Sequence, residues 1–185
     1  MFDSLGSGRP ARPREAGGTP ALRRLLATCA LLVSCGLQKQ PQPPPGPLPA
    51  SAFRVTWERI EAPRVLQPGS RERIIVQFEN SSDTVWPDKQ MGDPVNMSGA
   101  YAVRLSYRWL DANGNVVADF TERADLPFPI LPNQSIEIPI SVQAPPHAGS
   151  YRLQFDLVQE LVGWFAGHGN PHPAAWIRVQ EPPAS

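Results

Sequence analysis

The chain has 185 residues, enough for one domain with extensions, because domains usually run to about 100–150 residues. Proline is over-represented, 23 residues with nine of them in the first 50 positions; proline fixes φ and donates no backbone hydrogen bond, which excludes that stretch from a core. Formal charge is zero, but once Arg9, Arg12, Arg14, Arg23, Arg24, Asp3 and Glu15 are set aside, the part after Cys35 keeps 12 cations against 15 anions, a balance of −3 without a basic stripe. Nucleic-acid binding is therefore not expected.

The first element in chain order is a leader. Arg23 and Arg24 precede ten mostly apolar residues, Leu25 to Ser34, in the pattern of a secretory signal. As a helix this run spans roughly 15 Å, half of a ~30 Å hydrocarbon core, too short to cross a membrane. It ends in Leu32-Val33-Ser34-Cys35-Gly36, which closely resembles the bacterial lipobox. The resemblance implies that the Cys35 thiol receives a diacylglyceryl group and that a peptidase cuts before it. Several acyl chains are needed for a stable anchor, since one alone binds only marginally. Gly36 lacks the aspartate that, by the same analogy, retains some lipoproteins at an inner membrane. Residues 1–34 are thus read as a signal peptide, its long lead-in reflecting a start assigned too far upstream. Arg23-Arg24 also bears on a twin-arginine signal, though the flanking residues match it weakly. The expected location is the cell envelope, exported across the inner membrane and held to a membrane by lipid.

Residues 35–51 form the lipidated cysteine and a linker, reading QKQPQPPPGPLPAS from Gln38. Such a run favours extended polyproline II at about 3.1 Å per residue and spaces the domain roughly 40 Å from the surface. The rival reading is a ligand for proline-recognising modules.

From residue 52 to 181 apolar and polar residues alternate with period 2, the signature of half-buried strands. Phe53-Val55-Trp57 supplies a first strand. Ile74, Val76 and Phe78 share one face; Val103, Leu105, Tyr107 and Trp109 a second; Ile136, Ile138, Ile140 and Val142 a third; Tyr151, Leu153, Phe155 and Leu157 a fourth. Trp176–Val179 supplies the last strand, and 182–185 a disordered tail. Asn113-Gly114 signals a tight type I′ hairpin. Pro139, on an outward face, marks an edge strand or a bulge. Cysteines occur only at 29 and 35, so no disulfide or thiolate metal site is expected in the domain. The fold class expected is all-β, a single immunoglobulin-like antiparallel β-sandwich.

Asn80-x5-Trp86-Pro87, VRLSYRWLDANGNVV (103–117), LPFPILPNQSIEIPISVQAP (126–145) and GSYRLQFDLVQELVGWF (149–165) resemble a bacterial immunoglobulin-like module. It is similar to the sandwich appended to glycosyltransferases and methyltransferases of surface-polysaccharide clusters. More distantly it resembles the tryptophan-rich central domain of the next-to-breast-cancer-one family. Here no enzyme domain stands beside it, so the resemblance carries no activity across.

Trp57, Trp109 and Trp176 fall in strand patterns and are expected in the core. Trp164 and Phe165, with His168, sit in a Gly/Pro/His-rich stretch that reads as a loop, and form the candidate contact surface. The alternative is that both rings fold back and close the sandwich. His168 and His172 lie four apart but off any helix, and nothing completes a zinc set. Asp156 and Glu160 read as a solvated face rather than a catalytic pair. The sequons at Asn80, Asn96 and Asn133 read as turn residues. No catalytic residue, cofactor or metal is expected. Three functions follow: a non-enzymatic binding or assembly module of the envelope, a polysaccharide-recognition module, and a small hydrolase supported only by scattered carboxylates.

Overall fold

The computed structural model describes residues 46–94, 98–120 and 122–182. Cys35, the leader, the tether up to residue 45, Asn96 and the last three residues lie outside them. A 3-10 turn at Ala50–Ala52 leads into β1 (Val55–Glu61), β2 (Val65–Leu66) and β3 (Arg71–Asn80). After the one-turn helix α1 (Lys89–Gly92) come β4 (Val103–Leu110), β5 (Val116–Ala118), β6 (Ala124–Asp125) and β7 (Ser135–Gln143). β8 (Gly149–Gln159), β9 (Gly163–Trp164), a second 3-10 turn (Phe165–His168) and β10 (Ala174–Val179) complete the chain.

These strands make two sheets. The smaller has the order β1-β3-β7; the larger runs β2-β10-β8-β4-β5, with β6 also on β4 and β9 also on β8. Pairing is antiparallel except between β2 and β10. The register puts like against like: Ile74 faces Ile140 and Val76 faces Ile138 in the smaller sheet, while Leu105 faces Leu157 and Tyr107 faces Phe155 in the larger. Successive side chains alternate between faces, so each of these rows points inward together, and the two rows meet as a sandwich core. Two polar ties cross it. Trp109 Nε1 donates to the Gln143 carbonyl at 2.8 Å, and the Gln143 amide donates to Tyr107 Oη at 2.9 Å. Both buried aromatic heteroatoms are thereby satisfied.

Local chemistry accounts for the turns and edges. Pro139 lies exposed on β7, which among the described residues pairs only with β3, so its missing N–H interrupts no second ladder there. The hairpin after β4 is not type I′. Only Gly114 has positive φ (88°), and the Asp111 carboxylate accepts from the amides of Asn113 and Asn115 at 2.8 Å. That caged carboxylate selects a type I turn closed by a left-handed glycine, the three-residue alternative. In β1 the register slips between Trp57 and Arg59, a bulge that brings Ile60 opposite Val76.

Packing begins before residue 52. Leu48 is buried, its amide donates to Gln159 Oε1 at 2.9 Å, and Gln159 Nε2 donates to the carbonyls of Gly46 (3.2 Å) and Tyr101 (3.0 Å). The end of the proline-rich stretch is thus part of the domain. Asn80 is no free turn residue either. It is fully buried, donating to the Thr84 and Ile130 carbonyls and accepting from Ser82, while Trp86 Nε1 donates to the Ala52 carbonyl at 2.8 Å. The Asn80-x5-Trp86 spacing is a structural clasp between the 3-10 turn, β3 and Ile130. Asn133 does occupy a turn, exposed and with φ 58°.

Candidate functional site

The outward rows of β4 and β8 should be wet by alternation alone, yet Ser106 and Asp156 have no exposed surface and Gln154 is buried. A third layer covers them. Phe120 stacks on Trp164 at 4.2 Å, the Arg108 guanidinium lies 5.0 Å over Phe120, and that of Arg123 lies 4.8 Å over Trp164. Arg123 is pinned by Glu160 Oε1 at 2.9 Å and donates to Ser106 Oγ at 2.9 Å; Ser106 Oγ in turn donates to the Glu122 carbonyl at 2.6 Å. Arg108 Nε donates to Gln154 Oε1 at 2.9 Å, and Arg104 holds Asp125 at 2.6 Å. Stacked aromatics with cations over their faces make a stable lid.

Asp156, buried under this lid, approaches the half-buried His172 to 3.8 Å between Oδ2 and Nδ1. Loss of water pushes the Asp156 carboxyl up to about 6, opposed by amide bonds from Ala166 and Leu157 and by the charge of Arg108. Desolvation also drives His172 below its ordinary value, with Arg108 acting in the same direction and a bond to the Phe155 carbonyl (3.4 Å) opposing. The expected solvated face at Asp156 is therefore corrected. Nor are Asp156 and Glu160 a pair: the first meets His172, the second Arg123 and Arg104.

The adjacent rings of the expected contact loop go opposite ways. Phe165 is fully buried, 4.9 Å from Phe53 and 5.0 Å from Trp86 between ring centroids, so it is core and not contact surface. Trp164 is half-buried in the outer stack. His168 is exposed but lies flat on Phe53 at 4.0 Å. Asn170 fastens the stretch to the start of β1, donating to the carbonyls of Phe53 and Phe165 at 2.8 Å and accepting from the Val55 amide at 3.1 Å. Closure of the sandwich end thus describes Phe165, whereas Trp164 builds the lid. Among the described residues no three His, Cys, Asp or Glu side chains stand together as a metal site.

Sequence reasoning placed Trp176 in the core, and the structure reverses this. Ile177 and Val179 are the buried residues of β10, so Trp176 and Arg178, of opposite parity, point outward. Trp176 is 60% exposed. Arg152 pairs with it across the ladder, and a groove of about 310 Å³ is lined by Arg64, Val65, Ser150, Trp176, Ile177 and Arg178. Among the described residues none of Arg64, Arg152 and Arg178 forms an ion pair, and the enclosed Nε of Arg152 has no hydrogen-bond partner. The signal that could have found this face was parity: counted from Ile177 and Val179, Trp176 falls on the solvent side.

No family model matches the chain, and no curated protein does. Among solved structures it is similar to the CARDB domain of a Pyrococcus furiosus protein in complex with di-metal ions, at 14% identity over 69% of this chain and 88% of that one (TM-score 0.43). The solution structure of the same Pyrococcus furiosus domain matches at 15% identity over 68% and 93% (TM-score 0.41). A mutant β-glucosidase from Listeria innocua in complex with laminaribiose matches at 9% identity over 69% of this chain and 16% of that one (TM-score 0.41). These likenesses concern the fold alone.

Proposed function

We propose that the chain is a non-enzymatic binding module, held at a bacterial cell envelope by lipid on Cys35, with the outer face around Trp176 as its contact surface. One observation carries the reading. A tryptophan 60% exposed at the centre of a regular strand is fixed by ladder bonds on a rigid support. An indole buries about 150–250 Å² when covered. At about 25 cal/mol per Å², covering the exposed part contributes on the order of 3 kcal/mol to docking. Of the groups with reactive character, Asp156 is fully buried behind the Phe120–Trp164 stack and His172 is half-buried beside it. Support for the anchor is the Leu32-Val33-Ser34-Cys35 run at the end of an apolar segment.

Two variants test the two halves. In the full chain carrying Cys35→Ala, so that no lipid holds it, Trp176→Ala should abolish retention on purified envelope fractions while changing unfolding free energy by less than about 1 kcal/mol, the usual range for surface substitutions. Unchanged retention would remove this face as the contact surface. Cys35→Ala should lose metabolic labelling by a fatty-acid analogue; equal labelling of both proteins would discard the anchor.

A further inference from the structure

We infer that the Trp176 face takes an acidic saccharide, the indole stacking on a sugar C–H face and the guanidinium groups of Arg64, Arg152 and Arg178 engaging its carboxylate or phosphate groups. The inference rests on the reading of this face as the contact surface and adds the class of ligand. Four observations support it. First, register puts two arginines beside the indole, Arg178 two residues along β10 and Arg152 facing Trp176 across the ladder, and Arg64, whose carbonyl accepts from the Arg178 amide at 2.9 Å, lines the same groove. Strands lie about 4.8 Å apart and rise about 6.6 Å per two residues, so these cations fall within the reach of one or two sugar units.

Second, their charges are uncommitted. Arg59, Arg71, Arg104 and Arg123 are ion-paired, whereas Arg64, Arg152 and Arg178 are not, among the described residues. A planar guanidinium matches carboxylate and phosphate in a bidentate way. Third, the patch is positive while the chain after Cys35 carries 12 cations against 15 anions, so an anionic ligand is repelled elsewhere and directed here. Fourth, the surface is concave, about 310 Å³. That is the lower end of small-ligand sites, suited to a sugar unit with a seat for its ring. The groove lies at β2, a two-residue edge strand, which leaves a longer polymer room to run past. Three cations are few for a nucleic-acid backbone, which calls for a longer track of phosphate contacts.

The test uses the full chain and purified probes: an oligogalacturonate, a neutral malto-oligosaccharide, vesicles of anionic phospholipid and a short DNA duplex. Oligogalacturonate should bind at least tenfold more tightly than the neutral oligosaccharide, with affinity falling as salt rises. Arg178→Glu and Arg64→Glu should each weaken it roughly tenfold or more, the loss that removal of a charge-assisted hydrogen bond brings. Arg178→Lys should retain part of it, and Trp176→Ala should weaken acidic and neutral sugars alike. Each variant is checked for an unchanged thermal midpoint; Arg178→Gln, Arg64→Gln or Trp176→Leu replaces the one at its position that fails. Equal binding of neutral and acidic sugars, or tighter binding to vesicles or DNA, overturns the acidic-saccharide inference. If Trp176→Ala still abolishes envelope retention in that case, the contact face stands and only the ligand class falls.

Discussion

Replacing Asp156 by asparagine should stabilise the protein at neutral pH and not at acid pH. The carboxyl has no exposed surface, and its folded value of about 6 lies above the ordinary 3.8 because burial penalises the anion. The sign follows from linkage. A group that binds its proton more tightly when folded contributes stability below about pH 4, and that contribution is lost as pH rises through 6. A rise of about two units corresponds to about 3 kcal/mol lost at pH 7–8. Asparagine keeps the shape and an oxygen for the Leu157 (2.8 Å) and Ala166 (3.3 Å) amides but cannot ionise. Its NH₂ group needs an acceptor, which trims the gain to about 1–3 kcal/mol. His172 titrates the other way: its folded value is lowered, so protonation below about pH 6.5 favours unfolding in both proteins. The informative quantity is therefore the difference between variant and wild type in urea unfolding from pH 4 to 8. It should be near zero at pH 4 and rise through pH 6. Parallel curves would refute the buried-anion argument. A variant least stable near pH 6 would show instead that Asp156 and His172 act as a stabilising ion pair across their 3.8 Å separation.

The packing assignments make separate demands. Phe155→Ala and Phe165→Ala should each cost about 3–5 kcal/mol in chemical denaturation, since both rings are fully buried. A loss below 1 kcal/mol at Phe165 would return that ring to the surface. Gln159→Ala removes three hydrogen bonds and leaves the Leu48 amide and Tyr101 carbonyl without partners. About 1–3 kcal/mol per buried group is expected, with faster hydrogen exchange at Leu48; unchanged protection there would contradict the docking of residues 46–49.

Much of the fold was legible because strand alternation is a local property. Side chains change face at every residue, so the rows through Ile74, Leu105, Ile138 and Phe155 named the inward surfaces before any partner was known. Pro139 marked its edge strand for an equally local reason, the missing donor. Alternation says which residues share a face, but not whether that face meets water. Asp156, Ser106 and Gln154 read as solvent-facing. They are buried because Phe120, Arg123 and Trp164, brought in from beyond the strand ends, stack above them. Nor does composition decide which way neighbouring aromatics turn: Phe165 enters the core and Trp164 the lid because a 3-10 turn begins between them. Trp176 was misplaced by one step of parity, where hydrophobic character argued for the core and the register of β10 against β8 put the indole outside. The candidate face was thus decided by tertiary pairing, since its four key residues come from β10, β8 and the segment before β2, and only the sheet brings them together.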